Sequence, residues 1–189
     1  MKSTKATLTL ATAAAALLWA TTASSARDLE MTSVYPGSFP IIGDIGKDIG
    51  RRISVLTDGD LNLVFNEPGA LVPAPEAWDA VSTGAVDAAW YSPGFAQGII
   101  PSAAMFTSVP FGPEAPEYLA WYYHGGGQEI WEEITAKHGI KSVLCSTLPP
   151  EASGWFREPI NSVEELKGKK MRFFGLGARV MEKLGVSAQ

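Results

Sequence analysis

The chain is predicted to be an α/β protein of two lobes built on mainly parallel sheets. Three observations predict it. Short apolar runs rich in β-formers alternate with helical periodicity from Leu29 to Tyr91, and strands separated by helices pair in parallel. Ile42, Ile45, Ile49, Ile53 and Leu56 recur at spacings of three and four, which lines one face of a helix. Two prolines, Pro149-Pro150, then interrupt the chain, and a second, shorter strand and helix follow them.

Taken in order, Leu29 to Val34 reads as the first strand and the isoleucine face as the helix that covers it. Asp58-Gly59-Asp60 turns the chain into a second strand, Leu61 to Phe65, which Glu67-Pro68-Gly69 closes. A helix from about Glu76 to Ser82 leads into a third strand, Val86 to Tyr91. Between Pro93 and Pro116 the composition turns to glycine, proline and small residues around Phe95, Met105, Phe106 and Phe111, an irregular but apolar connection. Helices are expected over Ala115 to Tyr123 and Gly127 to His138, and a further strand over Ile140 to Ser146. Residues 27–150 are assigned to the first lobe and 151–189 to the second. In the second, Ser162 and Glu165 have the S-x-x-E spacing of a capping box, which opens a short helix ending at Gly168. Lys169 to Phe174 then reads as a strand, Gly175 and Gly177 break it, and Ala178 to Leu184 reads as a helix. So short a stretch cannot bury a core unaided, so the second lobe is expected to be incomplete in this chain.

Lys2 and Lys5, the apolar run Leu8 to Ala20 and the small residues Ser24-Ser25-Ala26 follow the order of a secretory signal. The run falls short of the roughly 18 to 20 apolar residues that span a bilayer. Residues 1–26 are therefore expected to be removed on export, leaving a soluble chain that starts at Arg27. That chain keeps 13 of the 15 basic residues against 20 acidic ones, a net charge of −7. An acidic chain without a basic cluster excludes nucleic acid as a partner. An anionic ligand must then be held by individual arginines rather than by the overall field. Cys145 is the only cysteine, read as a buried small hydrophobe on the strand Ile140 to Ser146, so stability is expected to come from a core rather than from disulfides.

Arg172 is the leading candidate for binding, because a strand-edge arginine beside Phe173, Phe174 and a glycine turn is partly desolvated and needs an anion. Its guanidinium matches a carboxylate at two points. A structural salt bridge to Glu164, Glu165 or Glu182 would serve the same local pattern. Gly175-Leu176-Gly177 imitates half of a dinucleotide fingerprint, but Val180 occupies the third glycine position, so the turn is read as bringing a helix N-terminus near an anion. Trp90, Tyr91, Trp155 and Phe156 are candidate pocket walls or core, and the Tyr91 hydroxyl can donate to a carboxylate or keto oxygen. His124 and His138 lack neighbouring ligands and read as helix-end residues. Ser92-Pro93-Gly94 has none of the flanks of a nucleophile elbow, so no catalytic set is legible and the protein is not expected to be an enzyme.

The pattern Gly154-Trp155-Phe156, a short Asn161 to Gly168 segment, then Lys170-Met171-Arg172 resembles the solute-binding subunits of the tripartite ATP-independent periplasmic (TRAP) transporters, the DctP-type proteins. Gly84 to Ala88, Val109-Pro110-Phe111-Gly112 and Tyr122-Tyr123 before Gly125-Gly126-Gly127 carry the same resemblance, which is closest to the branch that captures 2-oxo and 2-hydroxy monocarboxylates. It implies a type II periplasmic-binding-protein fold, whose lobes close around a small acid such as pyruvate or lactate and whose arginine, Arg172, grips the carboxylate. It also implies that the chain continues beyond Gln189 to complete the second lobe, and that the partners are TRAP membrane permease subunits, with a homodimer as a further partner. Glu151 matches the place of a glutamine that helps to hold a cation bridging to the substrate, so it is the candidate ligand for sodium or calcium; no other cofactor is implied. As a carboxylate it can ligate a hard cation or stand as an exposed loop residue. An exported metal-dependent α/β enzyme using Glu151, or a ligand-sensing domain, are the alternative readings.

Overall fold

The computed structural model describes residues 26–148 and 152–189. The expected signal, Pro149-Pro150 and Glu151 lie outside the described residues. Strand β1 (Arg27–Ser33) lies between β2 (Leu61–Asn66) and β3 (Ala88–Trp90), and both pairings are parallel. The register sets Thr32 beside Asn66 on one side and Ala89 on the other.

Helix α1 (Ile42–Leu56) crosses from β1 to β2, but its buried face is centred differently from the isoleucine repeat. Ile42, Gly43, Gly46 and Gly50 are buried, whereas Leu56 is 83% exposed. The glycines let the helix backbone approach the sheet: a Cβ on Gly46 would meet Phe65 and Trp90, and one on Gly50 would lie 2.4 Å from the Leu63 carbonyl oxygen. Ile45 and Ile49 flank that contact line and pack against the cluster of Met31, Ile42 and Trp90.

The other face of the sheet is covered by α2 (Ala77–Ser82), α3 (Ala115–His124) and α4 (Gly127–Ala136), with two 3₁₀ segments, Pro93–Gly98 and Pro101–Phe106, packed between them. Trp78, Ala96, Ile100, Ala103, Phe106, Tyr122 and Trp131 form this larger core. The irregular apolar connection is therefore a structural layer: its alanines are fully buried and let Phe106 and Trp131 rings approach to 4.7 Å.

The expected strand over Ile140 to Ser146 is not formed: the segment has no ladder partner among the described residues. Cys145 is accordingly exposed, not buried. Burial alternates along the segment as in a strand, yet it pairs with no neighbouring edge among the described residues.

In the second lobe β4 (Lys170–Met171) pairs in parallel with β5 (Ser187–Ala188), and α5 (Gly175–Lys183) crosses between them. The strand stops three residues earlier than expected and the helix begins at Gly175 itself. Gly177 is buried inside the helix because the Phe173 ring would lie 2.7 Å from a Cβ there, so this glycine serves packing rather than a turn. The S-x-x-E box is not formed either. A 3₁₀ turn, Glu164–Leu166, replaces the helix, and the Glu165 carboxylate accepts the Asn161 N–H at 3.1 Å.

Candidate functional site

Strands β3 and β4 end at Trp90 and Met171, and the residues just past these two carboxyl ends meet. Phe174 packs on Phe95 with ring centroids 4.8 Å apart, and Phe95 on Tyr91 at 5.7 Å. Gly94 lies so close under the Phe174 ring that a Cβ would stand 2.5 Å from it. Arg179 of α5 reaches Gln97: with the amide oxygen turned toward the guanidinium, the orientation that satisfies both, it accepts from Nε at 2.7 Å and from Nη2 at 3.2 Å. The carboxyl ends of parallel strands are where open α/β sheets bind ligands.

Arg172 follows β4 directly and is exposed. Among the described residues it makes no hydrogen bond or ion pair, so the salt bridge to Glu164, Glu165 or Glu182 is not formed. Glu165 is engaged with Asn161. The Glu164 carboxyl is held below the usual range by its own backbone N–H and then by the Ser162 hydroxyl. Two residues beyond Phe173, α5 opens without a side-chain cap, so its first N–H groups and Arg172 present positive potential close together in the chain.

Tyr91 stands at the opposing end. Its hydroxyl is buried without a hydrogen-bond partner, and burial first, then the Asp79 carboxylate and Tyr35, push its ionisation far above the ordinary value. The phenol is therefore a permanent donor at neutral pH. The Trp78 indole N–H, its ring 6.1 Å from Tyr91, is buried and unpartnered as well. Thr32 Oγ1 is a third such atom, and the strand register puts Thr32, Ala89 and Tyr91 on one face of the sheet. Buried polar groups are normally paired, so the unpartnered hydroxyls of Thr32 and Tyr91 on one face of the sheet, with the Trp78 N–H of α2 beside Tyr91, stand apart from the rest of the core. Sequence reasoning singled out Tyr91 and missed the other two, since nothing local marks a tryptophan or threonine as unpartnered.

Trp90 is core rather than wall: its indole N–H donates to the Ile42 carbonyl at 3.0 Å. Trp155 is 94% exposed and Phe156 39%. Gly154 lies between Phe156 and Met171, which places this segment beside the end of β4. His138 closes an edge-on contact with Trp78 at 5.5 Å, a packing role. A hollow of about 300 Å³ elsewhere is lined by Leu119, Tyr123, Leu144, Cys145, Ser146 and Thr147, none of which can neutralise a carboxylate. Among the described residues no three His, Cys, Asp or Glu side chains come together to hold a metal ion, and Glu151 lies outside them.

Residues 31–189 match the family of bacterial extracellular solute-binding proteins, family 7. A monocarboxylate 2-oxoacid-binding periplasmic protein of Nostoc sp. is 36% identical over 160 residues, 84% of this chain and 43% of that protein. The structure of a TRAP periplasmic solute-binding protein from Pseudoalteromonas atlantica, with bound sodium and pyruvate, superposes with a TM-score of 0.75 at 32% identity, over 87% of this chain and 50% of the other. One from Bordetella bronchiseptica, a mixed-occupancy dimer with calcium and picolinate, gives 0.81 at 30% identity over 87% and 49%. The chain thus spans about half the length of the relatives it matches. These likenesses establish the type II periplasmic-binding-protein fold for it. Because the match runs from β1 through α5 rather than over one lobe, the chain belongs to family 7 of the bacterial extracellular solute-binding proteins.

Proposed function

We propose that this chain belongs to the periplasmic capture subunit of a TRAP transporter, which binds a small 2-oxo or 2-hydroxy monocarboxylate and delivers it to membrane permease subunits. The observation that carries the reading is Arg172, a guanidinium left without a partner among the described residues at the carboxyl end of β4. It donates to the ligand carboxylate at two points, and the uncapped α5 N-terminus adds to the same potential. Tyr91 donates its hydroxyl from the first lobe to the neighbouring oxygen. The ligands of two relatives support that division of labour. Pyruvate and picolinate each carry a carboxylate next to a second acceptor atom, a keto oxygen or a ring nitrogen.

Closure of the lobes over the acid removes water and strengthens both contacts, and the ligand's preference for the closed form drives closure. No bond in the ligand is made or broken, so the protein acts as a carrier and not as an enzyme. Trp155 and Phe156, beside the end of β4, supply an apolar wall on the second-lobe side. Glu151 remains the proposed residue for a cation that accompanies the acid, on the chemistry of its carboxylate.

Calorimetric titration with pyruvate and lactate tests this reading in protein expressed from its native reading frame. Removing one partner of a desolvated charge pair costs about 3 to 5 kcal/mol, so Arg172→Ala should weaken affinity a hundredfold or more, at about 1.4 kcal/mol per factor of ten. Arg172→Lys should recover part of this, because it keeps the charge but loses the planar fork. Glu182→Gln should change neither affinity nor melting temperature. Wild-type affinity in a stably folded Arg172→Ala protein would eliminate Arg172 as the anchor.

A further inference from the structure

Two contacts join the lobes on residues that flank the proposed ligand groups without being them. On the first lobe both fall in the 3₁₀ segment Pro93–Gly98, which begins two residues after Tyr91. On the second lobe they fall on Phe174 and Arg179, two and seven residues after Arg172. The Phe174 ring occupies a socket that exists only because residue 94 has no Cβ: one built there would stand 2.5 Å from the ring and 3.0 Å from Thr107. The second contact is the pair of hydrogen bonds from Arg179 Nε and Nη2 to the Gln97 amide oxygen, at 2.7 and 3.2 Å.

The chemistry of that pair is specific. A carboxylate at position 97 would form a salt bridge, sensitive to ionic strength and costly to open; a neutral amide accepts a charge-assisted bond that salt and pH hardly touch. Gln97 is half-buried and Arg179 exposed, so the bond can break into water and reform at little cost. Short connections link each contact to a ligand group: the six-residue 3₁₀ segment to Tyr91, and the strand-to-helix junction to Arg172.

We propose that Arg179 and Gln97, with the Gly94 socket for Phe174, form an interlobe latch that sets the separation of Arg172 and Tyr91 in the absence of ligand. Arg179 is thus a positioning residue for capture, and the inference rests on Arg172 and Tyr91 being the ligand groups. The latch reduces the reorganisation that the acid must drive on binding, and so raises affinity without touching it.

The test measures the latch and the ligand separately, in protein from the native reading frame. Spin labels at Lys47→Cys on α1 and Lys183→Cys on α5, in a Cys145→Ser background, report the interlobe distance by pulsed electron resonance without ligand. Wild-type latch residues should give one narrow distribution. Arg179→Ala and Gln97→Ala should each broaden it to the same extent, and the double variant should broaden it no further, as residues sharing one bond behave. Gly94→Ala, which evicts Phe174 without altering any charge, should broaden it too. Pyruvate affinity should fall by about threefold to tenfold in each variant, far less than in Arg172→Ala. A distribution left unchanged by Arg179→Ala, or single effects that add in the double variant, overturns the latch. If no variant binds pyruvate, the ligand reading fails while the ligand-free distances still decide the latch.

Discussion

Ile41 is held at φ 68° and ψ −69°, and the Ile42 N–H is donated to the Pro40 carbonyl at 2.8 Å, a three-residue turn of the strained hand. A β-branched residue there costs about 1–3 kcal/mol, and with its side chain 70% exposed no burial offsets it. Glycine adopts this conformation freely, though it loses about 0.5–1 kcal/mol to chain entropy. Ile41→Gly should therefore stabilise the fold by about 1 kcal/mol, read as a higher urea midpoint at unchanged slope. A lower midpoint would show that the turn is not strained. Tyr118 carries a second test. Burial first, then Tyr122, push its phenol up to about 12, and its hydroxyl donates to the Phe106 carbonyl at 3.0 Å. The unfolded chain ionises near 10, so this contribution is complete below pH 10 and is lost as pH rises toward 12. Melting temperature should fall over that interval, and Tyr118→Phe should flatten the fall; an equal decline in the variant would place the alkaline sensitivity elsewhere.

Helix α1 shows how a correct periodicity can point to the wrong contact line. The isoleucine repeat was legible because 3.6-residue spacing survives in any amphipathic helix, but the face that meets the sheet runs along Gly43, Gly46 and Gly50. Hydrophobicity scales see nothing in glycine, while backbone proximity needs nothing else. Gly50→Ala makes the two effects compete. Alanine gains about 1 kcal/mol of helix propensity, yet its Cβ would stand 2.4 Å from the Leu63 carbonyl, a backbone atom that cannot step aside. Overpacking typically costs about 1–3 kcal/mol, and against a backbone atom this close it outweighs that gain, so the variant should melt lower than wild type. An unchanged or raised melting temperature would mean that α1 can lift from β2 freely. The 140–148 segment failed as a strand for the complementary reason: its alternation is real, but a strand is defined by a partner edge.

The two lobes differ sharply in what they bury. The first encloses two aromatic and aliphatic clusters on opposite faces of its sheet, whereas Val186 is the only buried apolar side chain described in residues 152–189. Trp155, Val163 and Val180 stay largely exposed there. Strands of two residues with one crossing helix cannot offset their ordering entropy by burial. Hydrogen exchange on this chain alone should accordingly show β1 and β3 as the most protected amides, with residues 170–188 exchanging at least a hundredfold faster. Equal protection in both lobes would contradict a second lobe without a core of its own.

The alternation of strands and helices, the parallel sheet and the acidic balance were all readable along the chain, because periodicity, turn chemistry and residue type are local properties. The capping box and glycine break of the second lobe were equally local in appearance and came out differently. There Glu165 turned to Asn161, and Gly177 made room for Phe173. What no linear pattern carried was the meeting of Gly94 with Phe174, of Gln97 with Arg179, and the stranding of Thr32, Trp78 and Tyr91 without partners. Those depend on which backbones approach within a few ångströms, a quantity settled by packing between elements far apart in sequence.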